Sequence, residues 1–161
     1  MSRLVPKIAL AAAALALFAY VQPRLTMHVL AESLHTSDES SIRERMDAER
    51  VRESLRSAYL ARLDHEPDEA DRNAAKIASL ALFGRGLEML MATTDHGEGP
   101  RARYANWTYD SIRQARAVLE HGDAPSITLV LERQRATWQL VAMQPSEDAW
   151  YELDGSVLRR D

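Results

Sequence analysis

His28, Glu32 and His35 are the residues whose types and spacing come closest to chemistry. At i, i+4 and i+7 they fall within about 60° of one another around a helix, and two imidazoles with a carboxylate suit zinc. No fourth ligand stands nearby in the sequence, and the same spacing describes the polar stripe of any helix whose other side carries Met27, Leu30 and Leu34. No metal site is assigned there. Asp64, Glu66 and Asp68 alternate like the start of a calcium loop, which needs Gly at its sixth position and Glu at its twelfth. Glu69 and Ala75 occupy those places, so the segment reads as a solvated acidic loop. Gly84-Arg85-Gly86 lacks the remaining spacing of a phosphate loop and reads as a helix corner. Ser126 beside His121 is a turn neighbour, and no G-x-S-x-G stretch is present to supply a nucleophile. The expectation is a protein with no catalytic, cofactor-binding or metal-ligating residues, acting by binding.

The chain has 161 residues, enough for one domain with a sizeable core. Apolar content of 46 % and charge of 27 % are ordinary for a globular protein. Setting aside Arg3 and Lys7 leaves 18 basic residues against 24 acidic ones, a formal charge of −6 for the remainder. Nucleic acid is therefore excluded as an expected partner, since phosphate binding wants a basic stripe. The absence of cysteine removes disulfides, thiolate metal sites, thiol catalysis and lipid attachment at a cysteine.

The unusual segment is KIALAAAALALFAYVQPRL, beginning at Lys7. No residue from Ile8 to Val21 is charged, and with Leu4 and Val5 the apolar span reaches about 27 Å as a helix against a hydrocarbon core of roughly 30 Å. Arg3 and Lys7 before it favour an N-terminus kept in the cytoplasm, which places the rest in the periplasm. A cleaved signal shares these features. The small-x-small pairs, however, lie inside the apolar run, and Ala19-Tyr20-Val21 offers Val where a cleavage site prefers a small residue. Residues 1–23 are thus expected to stay as an N-terminal membrane anchor or uncleaved signal.

Beyond Pro23, a new helix is expected over 24–35, a polar break over 36–41 and a long amphipathic helix over 42–63. A third helix over 74–83 should turn at Gly84-Arg85-Gly86 and resume over 87–92, with a hinge at 94–103. After that the period changes from helical to two: Ala115, Ala117 and Leu119, then Ile127, Leu129 and Leu131, then Trp138, Leu140 and Ala142. Turns at 121–125 and 134–136 separate them, and a fourth strand is expected around Trp107–Tyr109. A helical half covering one face of an antiparallel meander of three to four strands is an α+β domain. It should span 24–143, with 144–161 as a C-terminal tail.

Three groups of residues carry a resemblance: Tyr20-x-x-Pro23 leaving the anchor, the D-x-x-x-V-R-x-S-L run from Asp47 to Leu55, and V-L-E-R-(x4)-W-Q-L from Val130 to Leu140. Together they resemble a family of membrane-anchored bacterial proteins labelled domain of unknown function 2939. The resemblance implies a short protein anchored outside the inner membrane, and it lends no activity. In a bacterial chain the acceptor-like Asn106-Trp107-Thr108 is not read as a glycosylation site.

Two functions are expected to compete. The first is an envelope interaction or scaffold module. The second is a small-molecule or lipid carrier with a pocket between a curved sheet and its helices, as cystatin-like and nuclear-transport-factor-like cups have by analogy. An apolar cavity would favour the carrier, and a filled core with an exposed apolar patch the module. A metal-dependent hydrolase at His28 is the weakest reading. The expected partners are the inner membrane, an envelope protein, or a second copy of the chain. If Ile127, Leu129, Leu131, Trp138 and Leu140 face the helices, Val118, Val130 and Val141 point the other way. Pairing Leu119 with Leu129, and turning at Arg135-Ala136, aligns these valines in a row. Such a row needs cover, either from the tail, with Trp150, Tyr151, Leu153, Val157 and Leu158, or from a partner.

Overall fold

The computed structural model describes the backbone of residues 4–94 and 101–157, and the side chains of 12–14, 17, 18, 20–94 and 101–153. The first helix, α1, runs Leu4–Thr36. It passes through Pro23 instead of ending there, although proline removes one helical hydrogen bond. Pro23 is buried in this position, and a donor from the sheet, Tyr109, is brought to the same turn.

The expected helix over 42–63 is two helices, α2 (Glu39–Arg45) and α3 (Ala48–Leu60). Both start on aspartates: Asp38 accepts from the Ser41 amide and Asp47 from the Arg50 amide. The break falls at Met46, whose extended backbone bridges Leu140 of the sheet, while the Asp47 amide donates to the Leu140 carbonyl at 3.0 Å. The acidic loop ends earlier than its sequence suggests. Asp68 and Asp71 form a reciprocal capping box that starts α4 (Glu69–Met91).

The expected corner at Gly84-Arg85-Gly86 is straight helix within α4. Gly86 is there for close packing, since a Cβ on it would lie 2.5 Å from Met143 Sδ and 3.7 Å from Ile127 Cδ1. The hinge expected at 94–103 lies mostly outside the described residues.

Four strands follow in a simple antiparallel meander: β1 (Ala102–Ser111), β2 (Gln114–His121), β3 (Ala124–Gln134) and β4 (Thr137–Pro145). The turns are Ile112-Arg113, Gly122-Asp123 and Arg135-Ala136, with Gly122 and Arg135 in the left-handed region. The chain ends its described part in α5 (Glu147–Val157). This is the expected α+β architecture, helices first and then a four-stranded sheet.

The core lies between the helices and the inner face of the sheet. Met27, Leu30, Val51, Leu55, Leu82 and Leu90 meet Leu119, Ile127, Leu129, Leu131, Leu140 and Met143, all buried. Each such side chain contributes roughly 1.5–3 kcal/mol on leaving water. β4 would be an open edge, a template for unwanted pairing. Its backbone is instead engaged by the helices. Ser54 Oγ accepts from the Met143 amide at 3.2 Å and the Leu140 carbonyl accepts from the Asp47 amide at 3.0 Å, while the Gln139 side chain donates from Nε2 to the Glu44 carbonyl at 2.8 Å. β1 is interrupted by register shifts near Ala105 and Asp110, which blunt it as an edge.

Among the described residues no helix is long and apolar enough to cross a membrane. The side chains of 1–11, 15, 16 and 19, much of the expected anchor, lie outside them.

Candidate functional site

The aligned valine row does not form. Leu119 pairs with Ile127, not with Leu129, so Val118 stands beside Thr128 and Val130 beside Arg116. On the other side, the register set by Arg135-Ala136 holds as far as Leu131 opposite Leu140. A bulge then inserts Val141 and puts Val130 opposite Ala142. Val130 and Val141 share a shallow hollow of about 390 Å³ with Arg50, Ser54, Arg116 and Glu132. They are 5 % and 3 % exposed, and Val118 is half-buried. The valines thus flank a hollow bordered by α3, whose Arg50 reaches across to Glu132 at 3.0 Å.

The tail does not cover them. Residues Ala149 and Trp150 of α5 enter the core on the helical side, with the Trp150 ring edge-on to Tyr59 at 5.9 Å and beneath Arg62 at 5.1 Å. Arg85 of α4 closes a 2.6 Å ion pair with Glu152. Leu153 packs against the same cluster, and Tyr151 stays exposed. The side chain of Val157 and all of Leu158 lie outside the described residues.

The residues singled out for chemistry serve to hold elements together. His35 donates from Nε2 to the Met91 carbonyl at 3.0 Å, tying the end of α1 to the end of α4, while His28 and Glu32 are exposed. Asp68 and Asp71 cap α4, with His65 Nε2 at 2.9 Å from Asp71. These hydrogen bonds, the Asp68 amide first and His65 next, hold the Asp71 carboxyl below its usual range. Ser41 and Ser40 likewise lower Asp38 to about 2. Among the described residues no group of three His, Cys, Asp or Glu side chains could hold a metal ion.

The most organised polar and aromatic cluster is one the sequence pattern did not single out. Where α1 crosses β1, the Tyr20 ring stacks on Tyr109 at 4.9 Å and the Tyr109 hydroxyl donates to the Tyr20 carbonyl at 2.5 Å. Arg24, one turn on, donates to the Tyr20 hydroxyl at 2.9 Å. Its guanidinium lies 4.8 Å from the Tyr20 ring centre and 5.4 Å from that of Trp107. Tyr104 tilts against Trp107 at 5.4 Å. Together with Ala105 and Asn106, Tyr20, Arg24, Tyr104 and Trp107 border an open hollow of about 630 Å³.

Burial pushes the Tyr104 hydroxyl up to about 12; Thr93 opposes this, although no partner among the described residues meets hydrogen-bonding geometry with the buried oxygen. Tyr109 is also raised, by desolvation first, with Arg24 working against it. The cluster contains no nucleophile with an adjacent base. What it can do is lock a helix to a sheet edge and present aromatic faces with a fixed cation. The available signal was local density: β1 holds three of the ten aromatic residues of an aromatic-poor chain.

Residues 12–93, just over half of the chain, match the family described as "Protein of unknown function (DUF2939)". The chain belongs to that family, as the resemblance implied. The matched region runs from within α1 to the end of α4, so the V-L-E-R and W-Q-L stretches of β3 and β4 fall outside it. No curated protein and no solved structure matches the chain.

Proposed function

We propose that the chain is a membrane-anchored, non-catalytic interaction module of the bacterial envelope, with its α+β domain on the periplasmic face of the inner membrane. The observation that carries this reading is the continuity of α1. One helix includes the uncharged run beginning at Ile8, exposes Leu17 and Phe18, and then buries Met27, Leu30 and Ala31 in the core. The aromatic cluster around Tyr20 and Arg24 fixes that helix to β1 where an interfacial belt of Tyr, Trp and Arg belongs. An anchor joined in this way holds the domain in one orientation at the surface, unlike a flexible tether. The resemblance to membrane-anchored proteins carried by Tyr20-x-x-Pro23 and the Asp47–Leu55 run is consistent with the reading.

The interaction-module form is favoured over a carrier by the packing between sheet and helices. Leu119, Leu129, Leu131, Leu140 and Met143 are fully buried against the helices, where a carrier would need room for its ligand. Apolar surface is left instead on α4, where Ile77 and Leu80 are 66 % and 56 % exposed on neighbouring turns. This pair, more than Val130 or Val141, is the surface for a protein partner.

A reporter fused after Asp161 should be active only in the periplasm, and the protein should fractionate with membranes at an intact mass that includes residues 1–23. Recovery of a soluble mature chain beginning after residue 16 or 21 would overturn the anchor. Crosslinking in native membranes, repeated with Leu80→Asp, tests the module: the substitution should remove a crosslinked species without lowering stability.

A further inference from the structure

The two hairpin turns at one end of the sheet, Ser111–Gln114 and Gln134–Thr137, are neighbours, tied by the Arg133 amide donating to the Arg113 carbonyl at 2.8 Å. Their position along α1 follows from two contacts. Tyr20 meets Tyr109, and Arg24 meets Trp107. Four helical residues advance about 6 Å, and two strand residues advance about 6.6 Å. Helix and strand therefore keep step in opposite directions, and the β1–β2 turn, two to three strand residues beyond Tyr109, lies about 7–10 Å before Tyr20, one to two helical turns toward the start of α1. On the other flank, Ala136 and Thr137 of the second turn adjoin Gln22, Leu25 and Thr26 of α1. Both turns thus point toward the apolar end of the helix.

Their chemistry combines an exposed aliphatic tip with exposed cations. Ile112, at the tip of the first turn, is 82 % exposed, the highest value among the large apolar side chains of the described residues. Arg113 follows it and Arg135 occupies the second turn, both exposed and neither in an ion pair among the described residues. The acids nearest to them are engaged elsewhere: Asp110 with Arg116 at 2.7 Å, Glu132 with Arg50 at 3.0 Å, Glu44 with Arg45 at 3.1 Å. At the opposite end of the sheet stand Asp123 in the β2–β3 turn and Glu147 and Asp148 at the start of α5, which the Ser146 amide ties to the Ser126 carbonyl. Ile112, Arg113 and Arg135 thus stand together at one end, while at the other the exposed Arg101 and the Arg103–Glu120 pair stand among the acids.

We propose that this end of the sheet is a lipid-contact surface. Ile112 enters the interfacial layer of the bilayer that holds α1, and Arg113 and Arg135 meet its anionic headgroups. The proposal rests on the anchor reading. It adds a second attachment beside the helix, so that the sheet stands on the membrane with its β2–β3 turn outward.

Because the chain lacks cysteine, single cysteines at Phe18, Ile112 and Asp123 can each carry an environment-sensitive fluorophore in the full-length protein. The protein is reconstituted in vesicles of phosphatidylethanolamine and phosphatidylglycerol containing spin-labelled quencher lipids. Labels at Phe18 and Ile112 should be quenched several-fold more than one at Asp123. Adding Arg113→Glu and Arg135→Glu should bring Ile112 down to the Asp123 level while leaving Phe18 quenched. Quenching at Phe18 without quenching at Ile112 overturns the proposal and leaves the anchor standing. Absence of quenching at Phe18 overturns both. Quenching at Ile112 that survives both charge reversals, or is unchanged in phosphatidylcholine vesicles, overturns the headgroup contact.

Discussion

The Tyr109 hydroxyl donates to the Tyr20 carbonyl while the two rings stack, so one tyrosine of β1 holds both the backbone and the side chain of α1 at a single turn. That turn lies just before Pro23, where the helix has one hydrogen bond fewer to hold it straight. Tyr109→Phe keeps the ring and removes the donor. It should lower stability by about 1 kcal/mol, the net worth of one such bond. Denaturant unfolding measures it, and an unchanged midpoint would remove this bond as a brace.

Tyr104 gives a pH dependence with a definite sign. Its folded pKa is raised from the ordinary 10.0 to about 12 by burial. The protonated hydroxyl is favoured in the folded state, so this contribution is fully present below pH 10 and is lost as pH rises toward 12. A two-unit difference corresponds to roughly 2–3 kcal/mol. Because no partner among the described residues meets hydrogen-bonding geometry with the buried oxygen, Tyr104→Phe should be neutral or stabilising at pH 7 and should flatten the alkaline decline. Thermal midpoints from pH 8 to pH 11 for both proteins decide this.

The two glycines of α4 should respond oppositely to alanine. At Gly86 the new methyl meets Met143 Sδ and must displace it, an overpacking that costs about 1–3 kcal/mol. At Gly84 nothing lies within 4 Å, and alanine should stabilise the helix by about 0.5–1 kcal/mol. Equal effects at the two positions would contradict the packing described for α4 on the sheet.

Truncation after Gln144 removes Trp150, which is 4 % exposed in the core, together with the Arg85–Glu152 pair. Trp150→Ala alone should cost about 3–5 kcal/mol, the range for a large buried aromatic. The truncated chain should lose at least as much. If stability fell while Tyr59→Leu and Arg62→Ala left it unchanged, the contacts assigned to Trp150 would be wrong.

Val130→Asp is a test of burial. At 5 % exposure the new carboxylate leaves water beside Glu132, and Arg116 opposite it is already held by Asp110 at 2.7 Å, so the fold should be destabilised by several kcal/mol. A stable, soluble Val130→Asp protein with altered association would return the outer face to consideration as an interface.

Much of the architecture was legible in the sequence because it is local. The period-two runs at Ala115–Leu119, Ile127–Leu131 and Trp138–Leu140 can bury one side only as strands, although the expected Ala142 leaves that side at the bulge and Met143 takes its place; Arg135-Ala136 set the register of β3 on β4 for the residues nearest the turn. The apolar run from Ile8 and the family resemblance were likewise carried by composition and short motifs. Other features needed tertiary structure because each depends on a partner distant in sequence. Met46 leaves the helix to meet Leu140, Gly86 continues a helix because Met143 needs the space, and a bulge at Val141 changes which residue faces Val130. The tail goes to Tyr59 because an indole finds more apolar surface among the helices than on a face lined by Arg50, Arg116 and Glu132. The cluster of Tyr20, Arg24, Trp107 and Tyr109 joins residues more than eighty positions apart, and only the crossing of α1 over β1 brings them together.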